Sequence, residues 1–144
     1  MLFRSPSPSE RLKSEVAIRA NDRCEYCMSS MRHSSDPFSI EHIHPRVLGG
    51  SSALENLALA CQGCNNFKAT FTQGRDPVSG HFHFLYHPRR DDWGEHFRWS
   101  DDFFELIGVT PVGRATIQRL KLNREGVVNL RSLLLLIDLH PPPR

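Results

Sequence analysis

The chain has 144 residues, of which 39% are hydrophobic and 10 are prolines, and its formal net charge is +2 with neutral histidines. This length suits one core and excludes two independent ones, so we treat residues 1–144 as a single domain. The near-neutral charge also excludes a basic arm, so any positive charge that contacts nucleic acid must be brought together in space.

The beginning of the sequence, MLFRSPSPSERLKSE, contains no apolar stretch of the kind found in secretory signals. The longest apolar run, from Leu133 to Ile137, is far too short to cross a bilayer. We therefore expect a cytoplasmic protein with no membrane partner, in which cysteine thiols stay reduced.

The first predicted element is a helix over residues 9–21, SERLKSEVAIRAN. Leu12, Val16 and Ala20 recur every four residues and would lie on one face, and Ser7 or Ser9 could cap the N-terminus.

The four cysteines form two C-x2-C pairs, CEYC at 24–27 and CQGC at 61–64. Each such turn aims two thiolates at one tetrahedral ion, so the spacing predicts a structural Zn²⁺ site made of Cys24, Cys27, Cys61 and Cys64. Disulfides do not suit a reducing compartment, and a redox motif does not explain two pairs. A closed four-thiolate site stabilises the fold and leaves no coordination position for chemistry.

Between the two cysteine pairs lies the segment SIEHIHPRVLGG at 39–50. Partial alternation predicts a short strand over 38–43 that is stopped by Pro45. A Gly-Gly loop follows, then a second strand over 57–60. The stretch CNNFKATFTQG at 64–74 is predicted to be a helix.

Residues 75–105 are rich in aromatic, histidine and charged residues and predict a long loop with one or two short strands. In HFHF we expect His81 and His83 to form a polar face, or less favourably a metal pair, with Phe82 and Phe84 buried. Nearby Trp93, Phe97 and Trp99 are expected mainly to pack the C-terminal half onto the core, with base stacking as the alternative.

Two helices are predicted to end the chain. Thr110 followed by Pro111 predicts the start of a helix over PVGRATIQRLKL. Asn123 is expected to cap a last helix that runs to Ile137. Its four consecutive leucines cannot all face one side, so this helix offers core contacts or a surface for pairing with a second copy.

The segments EHIHP, GG, ENLALAC and CNNFK, in this order and flanked by the two cysteine pairs, are similar to the HNH endonuclease family. The resemblance implies an α+β fold with a zinc-stapled ββα-metal (His-Me finger) core over 20–72, preceded by the N-terminal helix. A helical C-terminal extension over 75–144 would follow, and it resembles the corresponding part of small bacterial HNH proteins.

Residue by residue, His42 matches the first histidine of the family motif, Asn56 the asparagine and Asn65 the last position. Glu41 stands where the family often has Asp, and Asn65 where it often has His. The resemblance implies that Glu41 and Asn65 hold one catalytic divalent ion, and such oxygen ligands suit Mg²⁺ or Mn²⁺.

The resemblance further implies that His42 acts as the general base and that Asn56 ties the loop to the His42 strand. Arg46 and Lys68 are expected to contact phosphate. His44 is expected to contact substrate, with a third metal ligand and a loop anchor as alternatives. The substrate would be DNA, with RNA not excluded, and the products would carry a 5′-phosphate and a 3′-hydroxyl.

Each motif also has an ordinary structural explanation. Glu41 and His42 could be a solvated pair, Asn56 a turn residue, Asn65 a helix cap, and Lys68 or Arg46 surface cations. Two alternatives to a nuclease therefore stay open: a non-catalytic zinc-stapled nucleic-acid-binding module, and an interaction protein that uses its last helix.

Overall fold

A computed structural model describes residues 8–143 of the chain. Short helices and antiparallel hairpins alternate along this part, so the predicted α+β class is confirmed. The elements are α1 (Pro8–Arg19), β1 (Ser39–His42), β2 (Leu57–Ala60), α2 (Gln62–Lys68), β3 (Gln73–Arg75), β4 (Phe82–Phe84), α3 (Trp93–His96), β5 (Phe97–Trp99), β6 (Leu106–Gly108), α4 (Pro111–Leu120) and α5 (Glu125–Leu136).

The first hairpin pairs β1 with β2 so that Glu41 lies opposite Ala58 and His42 opposite Leu57. Every residue of β2 is buried, which explains its continuous apolar sequence. Helix α1 covers this hairpin, with Val16 fully buried and the Arg19 guanidinium donating to the carbonyls of Leu54 and Leu57 at 2.9 and 2.6 Å. Helix α2 follows β2 directly and completes a strand–strand–helix unit.

The second hairpin pairs β3 with β4, and helix α4 packs against one of its faces. Gly74 makes this approach close, since a Cβ atom there would lie 2.8 Å from the carbonyl oxygen of Ala115. His83 is the register partner of Gly74 and shares its face, so Phe82 and Phe84 point the other way. They are 67% and 69% exposed, and the prediction that they are buried is wrong.

The third hairpin, β5–β6, begins within the aromatic segment. Trp93 and Phe97 are buried with ring centroids 5.5 Å apart, and Trp99 lies 5.7 Å from Trp93. This cluster packs the C-terminal half onto the core, as expected. The segment holds more regular structure than the long loop that its polar composition suggested.

Several helix ends differ from the expected ones for backbone reasons. Helix α1 ends at Arg19, before Asn21 and Asp22, which both adopt a positive φ. Ser9 lies inside that helix, and Ser7 is outside the described residues. Helix α2 ends at Lys68, well before residue 74, because Ala69 has φ +48°.

The C-terminal helices confirm one predicted cap and correct the other. The Thr110 hydroxyl accepts a hydrogen bond from the Gly113 N–H at 3.1 Å, as a serine or threonine cap does. Asn123 does not cap α5, which follows Arg124. Its side chain instead brackets Leu106, accepting from the N–H at 2.7 Å and donating to the carbonyl at 2.8 Å.

The leucine run in α5 divides between core and solvent. Leu134 is buried, whereas Leu133 and Leu136 are exposed. No helix among residues 8–143 is both long and apolar enough to cross a membrane.

Candidate active site and metal centre

His42 ends strand β1, and its ring is half-buried beside the loop that leads to β2. Its Nε2 atom lies 3.0 Å from the Ser52 hydroxyl oxygen. Burial and the nearby Arg46 guanidinium lower the pKa of His42 below its usual value of 6.5. The imidazole is therefore neutral at pH 7, the state that a general base requires.

Glu41 lies on the opposite side of the strand and is only 3% exposed. Its Oε2 accepts a hydrogen bond from the Tyr26 hydroxyl at 2.7 Å, and its Oε1 lies 2.5 Å from Lys68 Nζ. Burial raises the pKa of Glu41, while the Lys68 ammonium and the Tyr26 hydroxyl oppose that rise. Burial and the Glu41 carboxylate in turn raise the pKa of Tyr26, so its hydroxyl stays a donor.

A surface cleft of about 230 Å³ brings four of the predicted site residues together. Its lining comes from β1, the turn after it, the middle of α2 and the two residues that follow α2, and includes Glu41, His42, Arg46, Asn65 and Thr70. Arg46 is exposed at its edge, where a cation could meet a phosphate. Asn65 is half-buried, and its side chain forms no hydrogen bond within residues 8–143.

Lys68 does not reach this cleft as an exposed cation. It is 1% exposed, and besides Glu41 its ammonium donates to the Ile43 carbonyl at 2.9 Å. It is the interior counter-ion of Glu41, and a side chain in this position does not present its charge to a phosphate at the surface. Helical spacing correctly placed it one turn after Asn65 but could not show which way its long stem runs.

Asn56 is buried and ties the loop to the end of β1. Its Oδ1 accepts from the His44 N–H at 2.8 Å, and its Nδ2 donates to the carbonyls of His44 and Ser51 at 3.0 and 2.6 Å. The backbone adds a fourth bond, from the Ile43 N–H to the Asn56 carbonyl. These bonds hold the segment that follows His42 at a fixed distance from the loop that carries Ser52.

The double glycine is required by this same loop. Gly49 has φ +91°, a conformation that favours glycine, and a Cβ atom on Gly50 would lie 1.8 Å from the His44 carbonyl oxygen. The His44 ring is exposed, with Nε2 3.1 Å from the Leu48 carbonyl oxygen across the turn. Of its three predicted roles, the geometry is that of a loop anchor.

The four cysteines lie together and are buried, and none is in a disulfide. Their sulfur atoms all fall within 4.8 Å of one another, and Cys27 Sγ and Cys61 Sγ are 3.7 Å apart. Tetrahedral zinc with Zn–S bonds of about 2.3 Å requires sulfur atoms about 3.8 Å apart, so the cluster fits a zinc ion. Within residues 8–143 it is the one group of three or more Cys, His, Asp or Glu that could hold a metal.

Two arginines of the C-terminal half face this cluster, and no local sequence pattern predicts their position. The Arg124 guanidinium lies 3.3 Å from Cys61 Sγ and 3.6 Å from Cys64 Sγ. Arg131, 1% exposed, donates to the Cys27 carbonyl at 3.0 Å. Four thiolates around one Zn²⁺ leave a net charge of −2, which these cations offset in the interior.

A catalytic divalent ion was predicted between Glu41 and Asn65. Both residues line the cleft, and a carboxylate with an amide oxygen is a donor pair that Mg²⁺ or Mn²⁺ accepts. Glu41 Oε2 accepts one hydrogen bond, from Tyr26, and Oε1 is paired by charge with Lys68 and has no hydrogen-bond partner, so both oxygens keep acceptor capacity. The donor set therefore fits such an ion, with Glu41 already partly neutralised.

The family model described as HNH endonuclease matches residues 24–70. This segment runs from the first cysteine to just after α2 and holds every predicted site residue, so the resemblance noted in the sequence is confirmed. It is about a third of the chain. No curated protein and no solved structure matches the chain.

Proposed function

Since residues 24–70 match the HNH endonuclease family, we propose that this protein is a metal-dependent endonuclease that hydrolyses phosphodiester bonds in DNA. The single observation that carries the proposal is the cleft in which a neutral His42, Glu41, Asn65 and Arg46 meet. A family match alone indicates nuclease chemistry and a nucleic-acid substrate in general terms, and the roles below are our assignment.

His42 serves as the general base. In the tautomer that donates Nε2–H to the Ser52 hydroxyl, Nδ1 keeps its lone pair and can take a proton from the attacking water. The Ser52 hydroxyl, which can donate as well as accept, orients the ring in either tautomer, and the base function uses the tautomer in which Nε2 carries the proton. A serine two positions after Gly-Gly looks like an ordinary turn residue, and the sequence around it carries no sign of this contact.

Asn56 acts as a positioning residue that does not touch substrate. Its three side-chain hydrogen bonds hold the backbone after His42 against the loop that carries Ser52. Both partners of the His42–Ser52 contact are thereby fixed to each other.

Glu41 and Asn65 would hold the divalent ion, and the chemistry that such an ion supplies in phosphodiester hydrolysis is Lewis acidity and charge neutralisation. Tyr26 and Lys68 orient the Glu41 carboxylate toward this task. Arg46 is free to contact a phosphate of the bound strand from the edge of the cleft.

Cleavage of supercoiled plasmid tests the proposal. Wild type should convert it to nicked or linear DNA with Mg²⁺ or Mn²⁺ and not in divalent-free buffer. His42→Ala should lose this activity while keeping its melting temperature. His33→Ala, which removes an exposed histidine whose ring contacts Ser30, should cut like wild type. Cutting by His42→Ala at the wild-type rate would reject the assignment of the base.

Ser52 gives a finer test of the same arrangement. Ser52→Ala removes one neutral hydrogen bond, worth about 1 kcal/mol, so the cleavage rate at saturating metal should fall about five- to tenfold. Ser52→Thr keeps the hydroxyl and should restore most of the rate. The metal concentration for half-maximal rate should stay the same in both variants, because neither touches Glu41 or Asn65.

The alternative function is a non-catalytic zinc-stapled module that binds nucleic acid. One observation favours it, namely that both Glu41 oxygens already have protein partners. If wild type binds DNA with an affinity that falls steeply with salt but cuts no form of DNA with any divalent ion, this alternative is the better account.

A further inference from the structure

The second hairpin exposes two aromatic side chains on one face. Phe82 and Phe84 are 67% and 69% exposed, and they stand two residues apart on β4. Gln73 and Arg75 lie opposite them on β3 and complete what we call the aromatic face: Gln73, Arg75, Phe82 and Phe84. Two large exposed aromatics side by side are unusual on a protein surface that has no binding role.

The fold holds this face rigidly toward solvent. Helix α4 covers the reverse side of the hairpin, where Gly74 lets its backbone approach closely. Rotating the hairpin to bury the two phenyl rings would place His83 in solvent and separate Gly74 from Ala115. The exposure of Phe82 and Phe84 therefore follows from the strand register and the packing of α4, and the hairpin that carries them is held in place.

The charge around the aromatic face suits a polyanion. Arg75 lies on the face itself and is exposed. Asp76, the carboxylate that follows Arg75, is buried and already paired with Arg114 at 2.9 and 3.0 Å. An exposed guanidinium and two exposed aromatic rings thus stand together, and none of the four residues of the face is acidic.

The aromatic face borders the loop of the proposed active site through one cavity, and it follows the cleft residue Thr70 closely in the chain. Thr70 lines the catalytic cleft, and the chain runs from it through Phe71 into Gln73 on β3. On the other side, Phe84 borders a second cavity, of about 760 Å³, together with His44 and Gly50 of the loop beyond His42. That cavity also contains Arg90, alongside the acidic Glu55 and Asp91.

We infer that the aromatic face binds an unpaired strand of DNA, with bases stacked on Phe82 and Phe84 and a phosphate held by Arg75. The inference rests on the proposed function and deepens it, because a face that holds such a strand leads it toward the cleft and selects substrates with single-stranded character. Stacking on flat rings accepts any unpaired base, whereas duplex DNA keeps its bases inside the helix. A second copy of the chain is the poorer occupant, since it would bring a second Arg75 charge to the contact.

Binding without cleavage tests the inference. In a His42→Ala background, fluorescence anisotropy would compare a labelled oligothymidylate with a duplex of equal length. Adding Phe82→Ala and Phe84→Ala together should weaken single-strand binding at least about tenfold, since stacking is worth about 1–3 kcal/mol per base. Duplex binding should stay unchanged. Phe82→Tyr with Phe84→Tyr should restore binding, and Ile18→Ala, which truncates an exposed apolar residue on α1, should have no effect.

Three results would overturn the inference: unchanged single-strand binding in the double alanine variant, equal weakening of single-strand and duplex binding, or failure of the tyrosine pair to restore it. Sedimentation of the same variants tests the competing occupant, a second copy of the chain. If wild type is a dimer, and the alanine pair dissociates it with no loss of DNA binding, the aromatic face serves self-association instead. Because the experiment measures binding, its result is separate from the test of the proposed function. A protein that cuts no DNA could still bind a single strand through the aromatic face. A nuclease whose single-strand binding does not depend on Phe82 and Phe84 would reject this inference and leave the proposed function standing.

Discussion

The first and second hairpins of this protein each contain a strand with alternating apolar and polar residues, SIEH in β1 and FHF in β4, but the two hairpins expose opposite kinds of side chain. In β1–β2 the polar residues of the site meet at the end of a pair of strands covered by α1, α2 and the cysteine cluster. In β3–β4 the apolar residues face solvent, because one helix covers one side and glycine occupies the covered position. Alternation fixes which residues share a face, but the neighbouring element decides which face is inside.

Loss of the metal, which is held beside the first hairpin, should reduce stability more than any other change described here. Cys24→Ser breaks the cluster that pins the two cysteine turns together, and zinc binding contributes on the order of 10 kcal/mol in small zinc domains. We expect loss of cooperative melting by circular dichroism, together with loss of bound zinc by metal analysis. Ser132→Ala, a remote change on α5, should keep both. Normal melting of a protein shown to lack zinc would contradict the structural role.

Breaking the buried ion pair under the first hairpin should have the next largest effect. Lys68→Met leaves the Glu41 carboxylate without its counter-ion and should lower the free energy of unfolding by about 3–5 kcal/mol in urea. Adding Glu41→Gln should recover most of that loss, because no buried charge remains. If Lys68 were instead a phosphate contact, Lys68→Met would weaken DNA binding and leave stability near that of wild type.

Adding a side chain at Gly74, where α4 packs against the second hairpin, should have a smaller effect on stability. A Cβ atom in Gly74→Ala meets the backbone oxygen of Ala115, which cannot move aside without shifting α4. We expect a loss of about 1–3 kcal/mol of stability in urea denaturation. The matched control is Gly126→Ala on α5, where nothing lies within 4 Å and stability should hold or rise slightly. Equal outcomes for the two variants would mean that close approach of α4 does not orient the aromatic face.

The smallest effect should be a pH-dependent one at the turn of the second hairpin. Hydrogen bonds from Arg114 hold the pKa of Asp76 well below its usual range, with further bonds from Val78 and Ser79. A depressed pKa contributes stability that is present above the unfolded value of about 3.9 and is lost as pH falls toward the folded value. Asp76→Asn should therefore be less stable than wild type at pH 7, and the gap should narrow below about pH 4.

Denaturation of both proteins across that range measures this gap. Loss of zinc at low pH destabilises wild type and variant alike, so their difference isolates Asp76. A gap that is constant from neutral to acidic pH would show that the Asp76–Arg114 contact does not depend on the charge of the carboxylate.

Much of the core could be predicted because its signals are local. Two C-x2-C turns specify one tetrahedral cluster, and an unbroken apolar run of four residues specified β2 with its observed ends. The motif order likewise placed His42, Asn56 and Asn65 around the first hairpin. Thr110 before Pro111 marked the start of α4 because a cap and a fixed φ act within one turn.

The remaining features depend on partners far along the chain. Tyr26 sits between two cysteines as an ordinary spacer, and only folding brings its hydroxyl to Glu41. Asn123 looks like a helix cap but finds Leu106 on another hairpin. Phe82 and Phe84 have the pattern of buried residues, and their exposure is decided by how α4 approaches Gly74. No local pattern encodes any of these three outcomes.

The contact between Arg131 and the Cys27 carbonyl joins residues 104 positions apart, which has a consequence for how the protein matures during synthesis. All four metal-binding thiols emerge from the ribosome before α5 exists, so the cysteine turns can capture an ion while the chain is still incomplete. The two arginines that offset the charge of that centre arrive last. We therefore expect the metal site to be assembled in two stages, with capture by local turns first and electrostatic closure only when Arg124 and the final helix dock.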